Sequence, residues 1–268
     1  MSRDATQGMI GTGLGVTDRH DAWWIAPLAT ALGFAGFIIY STFRAVYNAD
    51  YMVEFSAHSA HILSPFYSPL LFISSEVDWI PNWISPAFFI LWMPGGFRVT
   101  CYYYRKAYYR AYFLDPPACA VGEARGTGYK GETRLFLLQN LHRYMLYLAI
   151  IIIGFLAYDV FLSLVWPNAD GTGKTLGASV GTVVLGINVV FLSMYTFGCH
   201  SLRHLVGGKL DCFSCDNVGK ARYGAWRGVT KLNEHHMLWA WVSLFMVGFA
   251  DLYVWMIASG RITDIRLF

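Results

Sequence analysis

Hydrophobic residues gather into five long stretches that carry almost no charged side chain. They cover residues 23–43, 81–104, 137–166, 176–202 and 232–259. A helix of roughly 20 apolar residues crosses the roughly 30 Å hydrocarbon layer of a membrane, and it satisfies its own backbone hydrogen bonds there. The pattern therefore predicts an all-α integral membrane protein. Its five transmembrane helices would form a single membrane domain over residues 1–268.

The second stretch is the least regular, because it contains the sequence Pro94-Gly95-Gly96. Proline removes a backbone hydrogen bond from a helix and clashes with the preceding turn. We expect a kinked helix here. The alternative is a helix that stops at Met93 and restarts beyond the glycine pair.

Composition agrees with a membrane protein and disfavours a soluble one. Charged residues make up 14% of the chain, and the mean hydropathy is +0.41. Soluble domains carry about 25% charged residues. A soluble chain this apolar would have too little polar surface to stay dissolved.

Lysine and arginine are distributed unevenly between the loops. Residues 98–134 and 203–231 are rich in them, whereas residues 45–80 contain none. Cytoplasmic loops of membrane proteins carry the excess of positive charge. With five spans, this bias predicts a cytoplasmic N-terminus and a C-terminus outside. The long loop at 45–80 would then lie on the outer face as an amphipathic or re-entrant segment.

Ionisable residues at membrane depth indicate function, because they are costly to bury. Asp159 and Asp251 are predicted to be proton-path residues or buried hydrogen-bond anchors. A further group shares the cytoplasmic ends of the last three spans and consists of His142, His200, His204, His235 and His236. A cluster on one side of a membrane favours a shared site. The alternative is that each histidine marks a polar helix end with unpaired backbone groups.

Cysteines follow two of these histidines in the run CHSLRHLVGGKLDCFSC. His200 and His204 share one helix face because they are four residues apart. Gly207-Gly208 would end that helix, and Cys212 and Cys215 form a C-x-x-C pair beyond it. Two thiolates and two imidazoles suit structural zinc or a Rieske-type two-iron two-sulfur cluster. Haem held by histidines alone and a pair of free, reduced cysteines are the other interpretations.

Basic and aromatic residues accompany the histidines at the predicted interface. Arg143 follows His142, Arg203 precedes His204, and Trp226 lies in the last basic loop. Such groups suit a quinone carbonyl, a lipid phosphate or an acidic protein surface. Snorkelling of arginine to the lipid interface is the simpler alternative for each arginine taken alone.

Together with the following run NEHHMLWAW, the cysteine–histidine run carries a family resemblance. The chain resembles the actinobacterial membrane-anchor subunit of succinate dehydrogenase, a succinate:menaquinone oxidoreductase. The resemblance implies that a flavoprotein subunit and an iron-sulfur subunit dock on the cytoplasmic face and oxidise succinate there. The anchor would lie in the cytoplasmic membrane and pass the electrons to a quinone, implied to be menaquinone.

One departure from related anchors changes the cofactor expected. Five-span anchors with two haems place axial histidines on the first and second spans, and this chain has none there. We therefore expect a Rieske-type cluster, rather than haem b, at His200, His204, Cys212 and Cys215. Quinone would be bound by His142, Arg143, Arg203, Trp226, His235 and His236.

Two other functions remain open from the sequence. One is a haem b-binding membrane subunit of another respiratory oxidoreductase. The other is a small transporter with a zinc-stabilised cytoplasmic loop. Polar residues along the spans are sparse for a permeation path, which disfavours the transporter.

Overall fold

A computed structural model describes residues 13–53, 61–73, 81, 84–124, 136–168, 173–209 and 211–268. Most of them are helical. The helices are α1 (Ile25–Tyr47), α2 (Ala87–Thr100), α3 (Tyr102–Tyr108), α4 (Phe136–Ser163), α5 (Val180–Phe197), α6 (His200–Gly207), α7 (Asn217–Glu234) and α8 (His236–Ala258). A π-helical turn, Tyr109–Phe113, follows α3.

Within the described ranges, four short strands form two antiparallel pairs. Strands β1 (Met52–Val53) and β2 (Ile62–Leu63) pair with each other. Strands β3 (Val165–Pro167) and β4 (Lys174–Leu176) form the second pair. The strands connect helices, so the predicted all-α class describes the architecture well.

Four of the described helices are long and apolar enough to cross a membrane. These segments are Ile25–Tyr47, Asn140–Ser163, Val180–Phe197 and His236–Ala258. They correspond to the first, third, fourth and fifth predicted spans. The class of an all-α membrane protein is therefore supported, whereas a fifth span and the orientation of the termini are not confirmed.

The second predicted span is divided differently from the expectation. Helix α2 has 14 residues and continues through Pro94, so it neither stops nor restarts at Met93. Its length is about 21 Å, which is shorter than the hydrocarbon layer. The chain is extended at Cys101 before α3 begins. The predicted continuous helix over 81–104 is thus corrected to two helices that meet at Cys101.

Helix boundaries also differ at the last two predicted spans. The prediction of 176–202 included residues that belong to β4, and a Ser179–Thr182 capping box begins α5. Gly198 ends α5, so α6 is a separate helix. The last span begins at His236 because α7 ends just before it. Side-chain caps at Ser179 and Cys199 begin α5 and α6, and hydrophobicity alone does not reveal them.

The chain divides into two compact units, Met1–Ile39 with Arg98–His142, and Tyr40–Phe97 with Arg143–Phe268. The first unit is held by ring contacts and loop hydrogen bonds. Phe34 and Tyr104 have ring centroids 5.3 Å apart. The Tyr112 hydroxyl donates a hydrogen bond of 2.7 Å to the carbonyl of Ala31.

The core of the second unit lies between α5 and α8. These helices are antiparallel, since the end of α5 lies beside the start of α8 at Gly198 and His236. Val180 at the other end of α5 bonds to Ile265 beyond α8. Ile62, Trp166, Leu185, Ala250 and Val254 are among the buried residues that pack together there. The loop segment that carries Ile62 is therefore part of the core.

A buried ion pair links α1 to α8 within the second unit. Arg44 and Asp251 are both 0% exposed, and the Arg44 Nε atom lies 2.8 Å from Asp251 Oδ2. The Tyr40 hydroxyl donates to the same carboxylate at 2.5 Å, and Ser64 donates to its other oxygen. The Tyr67 hydroxyl donates to the Arg44 carbonyl at 2.7 Å. Asp251 is thus a hydrogen-bond anchor with a cationic partner.

Part of the loop at 45–80 enters this unit, as a re-entrant segment would. Residues 62–68 are all buried. Besides the bond from Ser64 to Asp251, the Ser68 hydroxyl donates to Asp159 in α4. Both intramembrane acids therefore fix the same loop segment. The remainder of the predicted outer segment, at 54–60 and 74–80, lies outside the described residues.

Removing one charge of the pair is expected to be strongly destabilising. Asp251→Asn would leave the Arg44 guanidinium buried without its counterion, which costs about 3–5 kcal/mol of folding free energy. The measurement is the thermal denaturation midpoint of the purified protein in detergent. Glu234→Gln removes an exposed carboxylate and serves as the control.

The double variant Arg44→Met with Asp251→Leu should recover much of the lost stability, since neither charge then remains buried. An Asp251→Asn protein as stable as the Glu234→Gln control would contradict the role given to the ion pair.

Candidate functional site

Helices α6 and α7 pack against each other at one end of the second unit, and we call them the basic hairpin. Residues 198–235 carry an excess of positive charge from Arg203, Lys209, Lys220, Arg222, Arg227 and Lys231. The opposite end of the unit holds β3, β4 and the segment at 62–68. The basic hairpin therefore begins where α5 ends and leads directly into α8.

Two predicted site residues, Arg203 and Trp226, contact each other across the hairpin. The Arg203 guanidinium carbon lies 4.9 Å from the centroid of the Trp226 ring. Its Nε atom donates to Thr230 at 3.1 Å. A Cβ atom at Gly207 would lie 2.4 Å from the same indole, so glycine permits the close approach of α6. Cation–π contact and ring packing thus hold the two helices together.

Arg222 caps the C-terminal end of α6. Its guanidinium donates to the carbonyl of Val206 at 2.9 Å and to that of Gly208 at 2.7 Å. The last carbonyls of a helix lack partners within the helix, and a cation there also opposes the negative end of the helix dipole. The hairpin is therefore stabilised by side chains of its own.

A second group of side chains lies where α5 meets α8, and we call it the aromatic–histidine cluster. It consists of Phe97, Tyr195 and His236. His236 is 2% exposed and stacks on the Tyr195 ring with centroids 5.0 Å apart. Tyr195 meets the edge of Phe97 at 5.3 Å. Asn233, just before α8, donates to the Gly198 carbonyl at 2.8 Å.

The other predicted quinone ligands are placed less favourably for a shared site. His235 and Arg143 are exposed. His142 is buried in the first unit, where its Nδ1 atom forms a hydrogen bond of 2.9 Å with the Thr100 hydroxyl. The predicted histidines thus fall into different environments.

The predicted four-residue metal site does not assemble. His200 and His204 are exposed, and their Nε2 atoms lie 3.1 Å apart. Cys212 and Cys215 are bonded to each other as a disulfide, and in this oxidised form neither sulfur is a thiolate. Within the described parts of the chain, no group of three or more His, Cys, Asp or Glu side chains is placed to hold one metal ion. Neither the Rieske-type cluster nor zinc at these residues is supported.

The histidine pair is instead coupled by a hydrogen bond. Partial burial, together with the positive charges of His204 and Arg203, lowers the pKa of His200. A neutral imidazole offers one donor and one acceptor nitrogen. One ring of the pair can therefore donate to the other when at least one is neutral.

Most of the chain is similar to proteins of one family. Residues 25–260 match the model of the family described as actinobacterial succinate dehydrogenase subunit SdhC. The chain belongs to this family. It is also similar to a chain of the solved structure "Mycobacterium smegmatis Sdh1 complex in the apo form", with 41% identity, 94% of each chain covered and a TM-score of 0.81. A comparison with curated proteins found no match.

Family membership confirms the resemblance carried by the cysteine–histidine and NEHHMLWAW runs. Together with the four long apolar helices, it makes this SdhC chain a multi-pass protein of the cytoplasmic membrane. Phe97, Thr100 and Tyr195 were not among the predicted site residues. Thr100 and Tyr195 lie near the ends of their helices, where the histidines were sought, so a search for uncharged polar partners there would have found them.

Thiol labelling tests the state of the cysteine pair in this SdhC chain. In the native protein a maleimide should label the exposed Cys119 but neither Cys212 nor Cys215. After mild reduction both should be labelled, because reduction frees their sulfurs. The readout is mass spectrometry of labelled peptides. Iron that co-purifies with the chain and is lost in Cys212→Ser would contradict the disulfide and support an iron-sulfur cluster at these residues.

The titration of His200 should depend on its neighbour. Its pKa is expected below the ordinary value of about 6.5, and His204→Gln should raise it because a nearby positive charge is removed. Histidine-selective nitrogen-15 NMR measures both values. Lys220→Gln, which removes a charge from α7, is the control.

The sign of the effect on stability follows from the same shift. Since the folded chain holds the His200 proton less tightly than the unfolded chain, His200 disfavours the folded state as the pH falls below about 6.5 and has no effect well above it. A pKa of His200 that is unchanged in His204→Gln would contradict the coupling.

Proposed function

We propose that this chain is the membrane-anchor subunit of a succinate dehydrogenase complex and binds the quinone that accepts the electrons. Flavoprotein and iron-sulfur subunits would dock on its cytoplasmic face and oxidise succinate. The observation that carries the proposal is a buried histidine–tyrosine stack at the basic end of an SdhC-family chain. The chain itself would not bind succinate.

The basic hairpin is the proposed docking surface for the iron-sulfur subunit. Its lysines and arginines would face the cytoplasm, as the positive-inside bias requires. Charge complementarity steers the approach and fixes the orientation of such partners. In this topology the N-terminus is cytoplasmic, the C-terminus lies outside, and α2 with α3 provides the fifth crossing.

The aromatic–histidine cluster is the proposed neighbour of the quinone head group. A quinone offers two carbonyl oxygens as acceptors and a flat ring for stacking. His236 can donate a hydrogen bond and relay protons near neutral pH. Trp239 lies one turn further along α8. Its buried indole Nε1 atom has no hydrogen-bond partner among the described residues, and it can donate to a carbonyl.

The reaction assigned to this end of the bundle is the reduction of quinone to quinol, with menaquinone as the expected quinone. Two electrons would arrive from the iron-sulfur subunit, and two protons would come from the cytoplasmic side. Arg203 and Trp226 would hold the hairpin in place beside the cluster rather than react. His142, hydrogen-bonded to Thr100, is a second candidate for a proton-relay residue.

No step of this proposal passes through a metal centre in the chain. The sulfur atoms of Cys212 and Cys215 are bonded to each other, and they would have to be reduced before they could hold a Rieske-type cluster. The imidazoles that contact each other, His200 and His204, lie on a single exposed helix face. That placement does not fit a haem b held between two helices.

A variant at His236 separates quinone reduction from succinate oxidation. In the purified complex, His236→Gln should lower quinone-dependent turnover by about tenfold or more, because a positioned donor and proton relay is lost. Succinate oxidation with a soluble artificial acceptor should remain at the wild-type rate, since it needs only the partner subunits. His235→Gln, at the exposed neighbouring histidine, is the matched control.

Two results would count against this assignment. Wild-type quinone turnover in His236→Gln would remove the cluster from the site. An equal loss of turnover in His235→Gln would show that the effect does not come from the buried stack.

A further inference from the structure

A cavity of about 160 Å³ lies in the first unit, and its lining residues include no histidine. Helix α3, the π-helical turn and the loop after it form its walls. Its lining side chains are mainly aromatic or charged and include Tyr102, Arg105, Lys106, Tyr109, Arg110 and Asp115. The proposed quinone reaction uses none of them.

Arg105 is the buried cation of this cavity. It is 5% exposed, and its guanidinium carbon lies 5.8 Å from the centroid of the Tyr102 ring. Its Nε and NH1 atoms have no hydrogen-bond partner among the residues that the structure describes. Buried polar groups in proteins are nearly always hydrogen-bonded, so a ligand with acceptor atoms is expected in the cavity.

The charge of the lining identifies the ligand as an anion. Arg105, Lys106 and Arg110 supply three cations, and Asp115 supplies the only carboxylate among the lining residues. A guanidinium presents paired donors that match the oxygens of phosphate or carboxylate. Phosphate, with several acceptor oxygens and a compact shape, can accept bonds from more than one of these cations.

The surface beside the cavity favours a phosphate that belongs to a lipid. Tyr102, Tyr112 and Phe113 are exposed aromatic residues that belong to the helix and turn around the cavity. Tyrosine is enriched at the head-group level of membranes, and basic pockets at the cytoplasmic side bind anionic head groups.

We infer that this cavity binds the phosphate group of an anionic phospholipid, with Arg105 as the buried ligand and Arg110 and Lys106 at its entrance. The site is independent of the quinone proposal, because it uses other residues. Its lipid would be a bound component of the membrane arm rather than a reactant.

Native mass spectrometry of the delipidated, purified complex tests the inference. The probes are a short-chain phosphatidylglycerol, a short-chain phosphatidylcholine and inorganic phosphate. Wild type should bind phosphatidylglycerol more tightly than phosphatidylcholine. Arg110→Gln should weaken the binding of phosphatidylglycerol by about tenfold or more, as expected for the loss of a charged hydrogen-bond donor.

Two further variants make the test specific. Arg105→Lys keeps the charge but loses the paired donors, so it should also weaken binding. Lys174→Gln removes an exposed charge on β4, away from the basic hairpin, and should bind phosphatidylglycerol as wild type does. Succinate oxidation with a soluble acceptor verifies that each variant complex is assembled.

Each outcome decides the inference. Weaker binding in Arg110→Gln and Arg105→Lys, but not in Lys174→Gln, supports it. Full competition by inorganic phosphate at an equal concentration would keep a phosphate site but overturn its assignment to a lipid. Equal binding of phosphatidylglycerol in all variants would overturn the inference. So would an assembled complex that binds no phosphatidylglycerol, which is the result expected if a carboxylate of a partner subunit fills the cavity.

Discussion

The buried ion pair between Arg44 and Asp251 is the constraint on which the second unit depends. An ion of this size loses most of its hydration when it is buried, and only close partners offset that cost. Here the carboxylate receives hydrogen bonds from Arg44, Tyr40 and Ser64. Meeting all three partners fixes the position of α8 relative to α1 and holds the loop segment at 62–68 inside the unit.

Fixing α8 at one end also positions its other end. Asp251 lies 15 residues beyond His236, a distance of about 22 Å along a helix. Helix α8 packs on α5 over this length, and Gly198 allows the end of α5 to approach the start of α8 closely. The stack of His236 on Tyr195 therefore depends on packing that begins near the ion pair. In the proposed function, the hydrogen bonds around Asp251 thus support the geometry of a quinone site at the other end of α8.

Sequence reasoning succeeds here where the signal is local and fails where it is not. Four apolar stretches match the long helices because side-chain hydrophobicity is read directly from the sequence. Arg44 directly follows the first predicted span, 23–43. Nothing in the neighbouring sequence indicates that it is buried and paired with a carboxylate 207 positions away. The interruption of the second stretch was expected at Pro94, a known helix breaker. It occurs at Cys101 instead, where the backbone becomes extended.

The cysteine–histidine run shows the same limit most clearly. Spacing of four residues brings His200 and His204 together on one helix face, and spacing of three brings Cys212 and Cys215 within reach of each other. Each pair therefore follows from the spacing of its residues along the chain, and the two pairs together resemble four ligands of one ion. Whether the pairs meet depends on how α6 and α7 pack. That packing rests on Arg203 against Trp226 and on Arg222 at the end of α6, contacts that need no metal. The hairpin is thus held in place by contacts between its own side chains.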